Sequence, residues 1–335
     1  MYKYTIRMTY SELVTLSLHK FFICRIFKFS IVNHNSKIVD KFVFQSHIGE
    51  FAALGVSVCW TMSALFFEKA GHKIGSLSVN FIRMLFAFVF LGITTFISRG
   101  IFIPSDATGY QWFWLGLSGF IGFFLGDLLL FQSYMVIGSR TATLVMSLAP
   151  MLTAVIGWFF LDEILSVRNI IAIIISVSGI IIAISNRKMK LNIPIKWFLL
   201  AFGGATGQAV GLILSKKGMG HYDPVSATQI RAIFGLISFG ILITVLRRWP
   251  KIQQAFTHTS AMKSVTVGAI FGPFIGVALG LFAIQQTKTG IASTLMALVP
   301  IFIIAPSAIM FKEKIKPQQI FGAVISIAGA TLFFL

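Results

Sequence analysis

Apolar residues run along this chain in stretches of about twenty, the length that crosses a bilayer as a helix, broken by short clusters of charge, glycine and proline. The pattern predicts spans near 49–67, 75–97, 110–136, 140–161 and 167–185, then near 197–215, 225–246, 263–285, 290–311 and 318–335. Connections between them are short, so consecutive helices must be neighbours. In lipid the backbone polar groups are satisfied only within helices or closed barrels. The expectation is a compact helical bundle.

Residues 1–47 break the pattern. Lys3, Arg7, Lys20, Arg25, Lys28, Lys37 and Lys41 are scattered among apolar residues, offset only by Glu12 and Asp40. On a helical wheel Lys20, Arg25 and Lys28 cluster to one side, which suits a surface-lying amphipathic segment better than an eleventh span. A disordered extension, or upstream sequence brought in by a wrong start site, is the other reading. No cleavable signal peptide is expected, because the run is interrupted by charge.

Composition agrees with a membrane protein: of 335 residues 56% are hydrophobic and 11% charged, with a mean hydropathy of +0.87. A soluble protein would carry about 25% charged residues. The balance of 28 Lys+Arg to 10 Asp+Glu, formally +18, then signals basic loops rather than nucleic-acid binding. Two cysteines, Cys24 and Cys59, give neither a disulfide framework nor a metal-ligand spacing. There is no phosphate-binding GxxxxGK[ST] loop and no HExxH, so neither ATP hydrolysis nor a metal centre is expected, and no cofactor.

An internal repeat organises the rest. A shift of 150 residues lays Gly122-Phe123-Phe124-Leu125-Gly126 on Gly272-Pro273-Phe274-Ile275-Gly276, and Leu148 and Pro150 on Leu298 and Pro300. The register continues through Glu163/Glu313, Ser176/Ser326 and Gly179/Gly329. A shift of 148 matches Ile82-Arg83 to Ile230-Arg231 and Gly92 to Gly240. Each half holds five spans, and an odd number makes the second half enter from the opposite side, the inverted-repeat plan of secondary transporters. The expected fold is therefore an all-α integral membrane protein, ten transmembrane helices in two inverted five-helix repeats, at 48–186 and 187–335.

With its duplicated five-span pattern, its Leu-x-Pro motifs at Leu148–Pro150 and Leu298–Pro300, and Glu163 and Glu313 closing spans 4 and 9, residues 48–335 resemble the EamA-type carriers of the drug/metabolite transporter superfamily. Members commonly carry Gly-Glu at those closures; here they read Asp162-Glu163 and Lys312-Glu313. The resemblance implies a multi-pass carrier of the cytoplasmic membrane that exports small metabolites or toxic compounds by proton-coupled or exchange transport, with both ends cytoplasmic. The basic residues of the loops, counted over the core alone, argue for the opposite orientation. A membrane-embedded enzyme acting on a lipid or small molecule is the alternative; its signature would be a changed product rather than a changed compartment.

Candidate chemistry sits in the spans. Arg83 and its mate Arg231 place guanidiniums where charge costs about 2.5–3.5 kcal/mol on insertion scales, so they must face protein or water. Each reads either as an anion clamp for substrate or as a structural partner of an acid. Asp127, whose mate is the apolar Val277, is the candidate proton carrier, unless it pairs permanently with Arg83. Trp60, Gln208 and Gln132, with Tyr134, Gln285 and Gln286, offer an aromatic wall and neutral hydrogen bonding for a small-molecule substrate, or simply interhelical packing. Pro150 and Pro300, taken as mid-span, would kink their helices, either as hinges or as fixed bends. Glu68 reads as interfacial or as one side of a gate salt bridge. Glu163 and Glu313 read as stabilising the dipoles of the helices that follow them. The glycines of spans 6 and 8, spaced every four residues, predict close helix packing.

Overall fold

A computed structural model describes residues 47–146, 148–184, 195–304, 306 and 317–332. The extension 1–46 and Glu313 lie outside these residues. The described residues contain helices and no strand. They form α1 (Ile48–Ile74), α2 (Ser76–Arg99), α3 (Gly109–Ser118), α4 (Asp127–Met146), α5 (Ala149–Leu161), α6 (Val167–Ile184) and α7 (Ile195–Met219). There follow α8 (Pro224–Val245), α9 (Trp249–Thr257), α10 (Thr259–Ala269), α11 (Val277–Gln286), α12 (Thr289–Met296), α13 (Val299–Phe302) and α14 (Pro317–Thr331).

Local signals set the helix ends. Gly75, at φ 80°, separates α1 from α2, and Gly100, at φ 73°, closes α2 with its N–H on the carbonyl of Phe96. Positive φ is open to glycine without a Cβ penalty. Thr108 and Gln111 form a reciprocal capping box at the start of α3. Asp223 caps α8 by accepting from Ser226 N, with Pro224 in the first turn.

Two π-helical stretches, Gly119–Gly126 and Ile270–Gly276, join α3 to α4 and α10 to α11. They fall on the two members of the repeated glycine motif. Gly122 and Gly126 add no side chain that would oppose the wider i→i+5 turn, and Pro273 removes a backbone donor inside the second stretch.

Six helices are long and apolar enough to cross a membrane among the described residues: Ile48–Ile74, Ser76–Arg99, Gly109–Val136, Ile195–Met219, Pro224–Val245 and Thr259–Gln286. Three shorter apolar helices, Ala149–Leu161, Val167–Gly179 and Ile320–Gly329, occupy the places expected for spans 4, 5 and 10. Large apolar side chains such as Ile97, Phe159, Val245 and Phe321 are exposed, as a lipid-facing surface requires.

Contacts recur in pairs related by the repeat. A methyl at Gly179 would lie 2.3 Å from Ser326 N, and one at Gly329 would lie 2.5 Å from Ser176 N, so α6 and α14 meet backbone to backbone at matched positions. Gly272 lies against Ser63 of α1, while its mate Gly122 lies against Gly211 of α7, the equivalent of Ser63. The regularly spaced glycines thus seat α1 and α7 on the π-helical stretches, which brings backbones close and compensates for the weak hydrophobic drive between helices in lipid.

The prolines need a correction. Pro150 and Pro300 do not interrupt continuous helices: each falls in the first turn of a helix, α5 and α13, after a break at Leu148 and at Ala297–Leu298. There the missing N–H is one that would find no helical partner anyway. Spans 4 and 9 are broken at equivalent points rather than bent.

Candidate functional site

A cavity of about 1150 Å³, counted with its open mouth, occupies the middle of the bundle. Both halves of the sequence line it: Trp60, Phe67, Arg83, Asp127 and Tyr134 from the first, Gln208, Val277, Ser293 and Met296 from the second. Trp60 and Gln208 sit near the middle of their helices, Val277 opens α11 where it leaves the second π-helical stretch, and Phe67, Phe131 and Tyr134 continue the wall toward the end where α1 finishes. That end is called the second end, and the end where α1 begins the first.

α2 carries Arg83 and the start of α4 carries Asp127, and the two form a buried ion pair. Arg83 Nε also donates to Asn80 Oδ1 at 2.8 Å, one helical turn back. Its guanidinium lies over the rings of Phe131 and Phe67, 4.8 and 5.6 Å from their centroids. Gln208 Nε2 donates to Asp127 Oδ1 at 2.7 Å. Charge-assisted hydrogen bonds and ring faces of this kind compensate for withdrawing a guanidinium from water. Phe131 and Tyr134 are four and seven residues beyond Asp127, hence on its face of α4.

Trp60 and Gln208, repeat mates, both line the cavity. Arg231 borders a smaller annex of about 290 Å³, open space included, that shares Trp60, Phe123 and Gln208 with the main cavity. Gln132 is exposed and does not line the cavity, so the structure does not bring it to the site. It stands five residues from Asp127, about 140° around a helix that turns 100° per residue. Gln285 is also diverted: its amide donates to the carbonyls of Gly220 and Tyr222, fastening the α7–α8 turn.

The first end holds a set of cross-half polar links that the sequence did not reveal. Glu163 accepts from Lys216 Nζ at 2.6 Å, and from Thr289 N and Oγ1 at 2.8 and 2.6 Å. It therefore caps α12 in the other half of the chain and not α6, which follows it; a partner 126 residues away leaves no trace in local spacing. Lys216 Nζ also donates to the Thr287 carbonyl, and Thr287 Oγ1 donates to Glu50. At the rim, Arg99 pairs with Asp106 and donates to Ser226, while Tyr222 Oη donates to Asp106 Oδ1 at 2.9 Å. Partial burial raises the Asp106 pKa, but the Tyr222 and Arg99 contacts outweigh it and hold the carboxyl below the usual carboxylate range.

Long apolar helices around a central cavity that contains charge, with an apolar surface facing outward, define a multi-pass membrane protein of the carrier type. The chain belongs to the EamA-like transporter family, whose model matches it twice, over residues 47–185 and 195–335. It is 23% identical over 193 residues to a "Probable amino-acid metabolite efflux pump" of Salmonella typhimurium, a match covering 56% of this chain and 64% of that protein. A protein of the same description from Escherichia coli is 21% identical over the same shares of each chain. An "Uncharacterized transporter" of Clostridium kluyveri is 24% identical over 58% of this chain and 63% of its own length. The chain thus aligns to a little under two thirds of each of these relatives. A solved crystal structure superposes with a TM-score of 0.65 over 86% of this chain and 96% of its own, at 17% identity, which is a likeness of fold.

Proposed function

We propose that the protein is a secondary active transporter that exports a small metabolite or toxic compound across the cell membrane by alternating access. In this reading residues 48–186 and 187–335 are two inverted five-helix repeats, ten spans in all. The observation that carries it is the central cavity, lined from both halves and containing the buried, paired charges of Arg83 and Asp127. Paired contacts at the repeat offset support the two-repeat plan, and the names of the efflux-pump relatives support the direction.

Trp60, Gln208 and the arginines Arg83 and Arg231 bind substrate in this reading. Asp127 couples transport to protons by parting from Arg83 and taking a proton in another conformation. The breaks before Pro150 and Pro300 act as paired hinges, since a helix interrupted at one level can change direction there without losing further hydrogen bonds. The first-end links among Glu163, Lys216 and Thr289 hold that end shut while the cavity is accessible from the second.

Counterflow in proteoliposomes tests this. Vesicles preloaded with amino acids, nucleotides, sugar phosphates or cationic drugs should accumulate labelled compound of one class with its mass unchanged. Conversion of the compound would favour an enzyme, and absence of movement for every class, with the protein folded, would oppose the carrier.

A further inference from the structure

Arg83 and Arg231 occupy matched positions, yet their surroundings are not equivalent. Arg83 is committed to Asp127 and Asn80. Arg231 is 3% exposed, lies over the Phe123 ring at 4.3 Å from its centroid, and has a buried Nε with no hydrogen-bond partner. On the helix where the first half carries Asp127, the second carries Val277, so the repeat supplies Arg231 with no carboxylate. The oxygens of Asp127 are already engaged by Arg83 and Gln208. A guanidinium buried with no anion hydrogen-bonded to it is costly, and this one borders an annex that shares Trp60, Phe123 and Gln208 with the main cavity.

The charges then balance in one way. Arg83 and Asp127 cancel, and Arg231 leaves one positive charge beside walls made of Trp60, Phe123, Leu212 and Val277. A single carboxylate would neutralise it and match its planar donor fork. A phosphate monoester would bring a second, uncompensated charge into an apolar chamber. An ammonium group on the ligand would find Asp127 already occupied.

We propose that the annex at Arg231 is the substrate's anion site, and that it takes a monocarboxylate whose remaining body is apolar and uncharged. This deepens the carrier reading and rests on it for the word substrate; the site itself stands on Arg231 and the annex.

Four probes with similar bodies separate the charge types: phenylpyruvate, phenylalanine, phenyl phosphate and phenethylamine. Binding to the purified full-length protein is measured by thermal shift and equilibrium dialysis. Phenylpyruvate should bind at least tenfold more tightly than the other three, and Arg231→Gln should weaken it at least tenfold. Because Arg231→Gln removes an unpaired buried charge, it should unfold no earlier than the wild type. Gly280→Leu, which adds a side chain to the annex wall beside Met296 and Val56 and keeps the guanidinium, provides a second variant and should also lose at least tenfold. Absence of phenylpyruvate binding, or wild-type affinity in either folded variant, overturns the site. Counterflow with the same probes separates the two claims: movement without preference for the carboxylate removes the Arg231 site and leaves the carrier, whereas phenylpyruvate binding without movement keeps the site and removes the carrier.

Discussion

Glu163→Gln should loosen the first end of the bundle. In the closed arrangement the Glu163 carboxylate takes one hydrogen bond from Lys216 and two from Thr289, joining the two halves of the chain. The substitution removes the charge but leaves an amide oxygen that still accepts from Thr289, and Lys216 keeps the Thr287 carbonyl. The loss is therefore less than that of three charged hydrogen bonds, each worth about 1.5–3 kcal/mol. The Glu163 side chain is 11% exposed and that of Lys216 25%, so the ion pair is only partly screened. A net weakening of about 2 kcal/mol shifts the ratio of first-end-open to closed molecules by roughly 30-fold. The assay uses a protein with Cys24 and Cys59 replaced by serine and a single Leu212→Cys, one turn from Lys216 and on the cavity wall. An impermeant maleimide is applied separately to each face of sealed vesicles. Modification from the first end should accelerate by at least tenfold in Glu163→Gln while modification from the second end falls. Rates unchanged from both faces would refute the assignment of these links as a closure.

Other consequences concern stability and coupling. Asp127→Asn leaves Arg83 buried without its anion and should destabilise the protein by about 3–5 kcal/mol; Arg83→Gln added to it should restore part of the loss in thermal unfolding, and equal melting of single and double variants would count against the pair. The same Asp127→Asn change should abolish the effect of a pH gradient on counterflow. Gly179→Ala places a methyl 2.3 Å from Ser326 N and must push α6 off α14, costing about 1–3 kcal/mol; a melting temperature equal to wild type would contradict the close approach. Asp106, held below the usual range, contributes stability that is fully present above its unfolded pKa of about 3.9 and lost as pH falls through its lower folded value. Asp106→Asn should flatten the acid limb of the melting-temperature profile below about pH 4, and an unaltered limb would show that other groups set it.

Much of the architecture is written in the chain because the solvent enforces it. Lipid demands long apolar helices, and the duplicated Gly, Pro and Glu positions announce a repeat, so the long spans and the matched contacts at Gly179/Gly329 follow from periodicity and spacing. Arg83, Asp127, Trp60 and Gln208 meet at the cavity because charged and polar groups in the apolar core have to find one another or water. Gln132 illustrates what residue type alone misses: helical phase, not polarity, decides which side chains share a face, and the phase puts Phe131 and Tyr134 beside Asp127 instead. The apolar runs around Pro150 and Pro300 look continuous and so suggest kinks; a proline is cheaper to place at a helix start, and the chain breaks there. The Glu163–Lys216–Thr289 links join residues far apart in sequence, and only the packed bundle brings them together.

The central claim is that the cavity is the path. Ala64 lies on its wall and is partly exposed there, so Ala64→Trp fills the space from one side without removing the Arg83–Asp127 pair. Counterflow of the transported class is measured for wild type and Ala64→Trp at equal amounts of folded protein in the vesicles. Exchange by the wild type that falls at least tenfold in the filled variant is the predicted result. Exchange that continues at the wild-type rate with the cavity filled would place the path elsewhere and contradict the account.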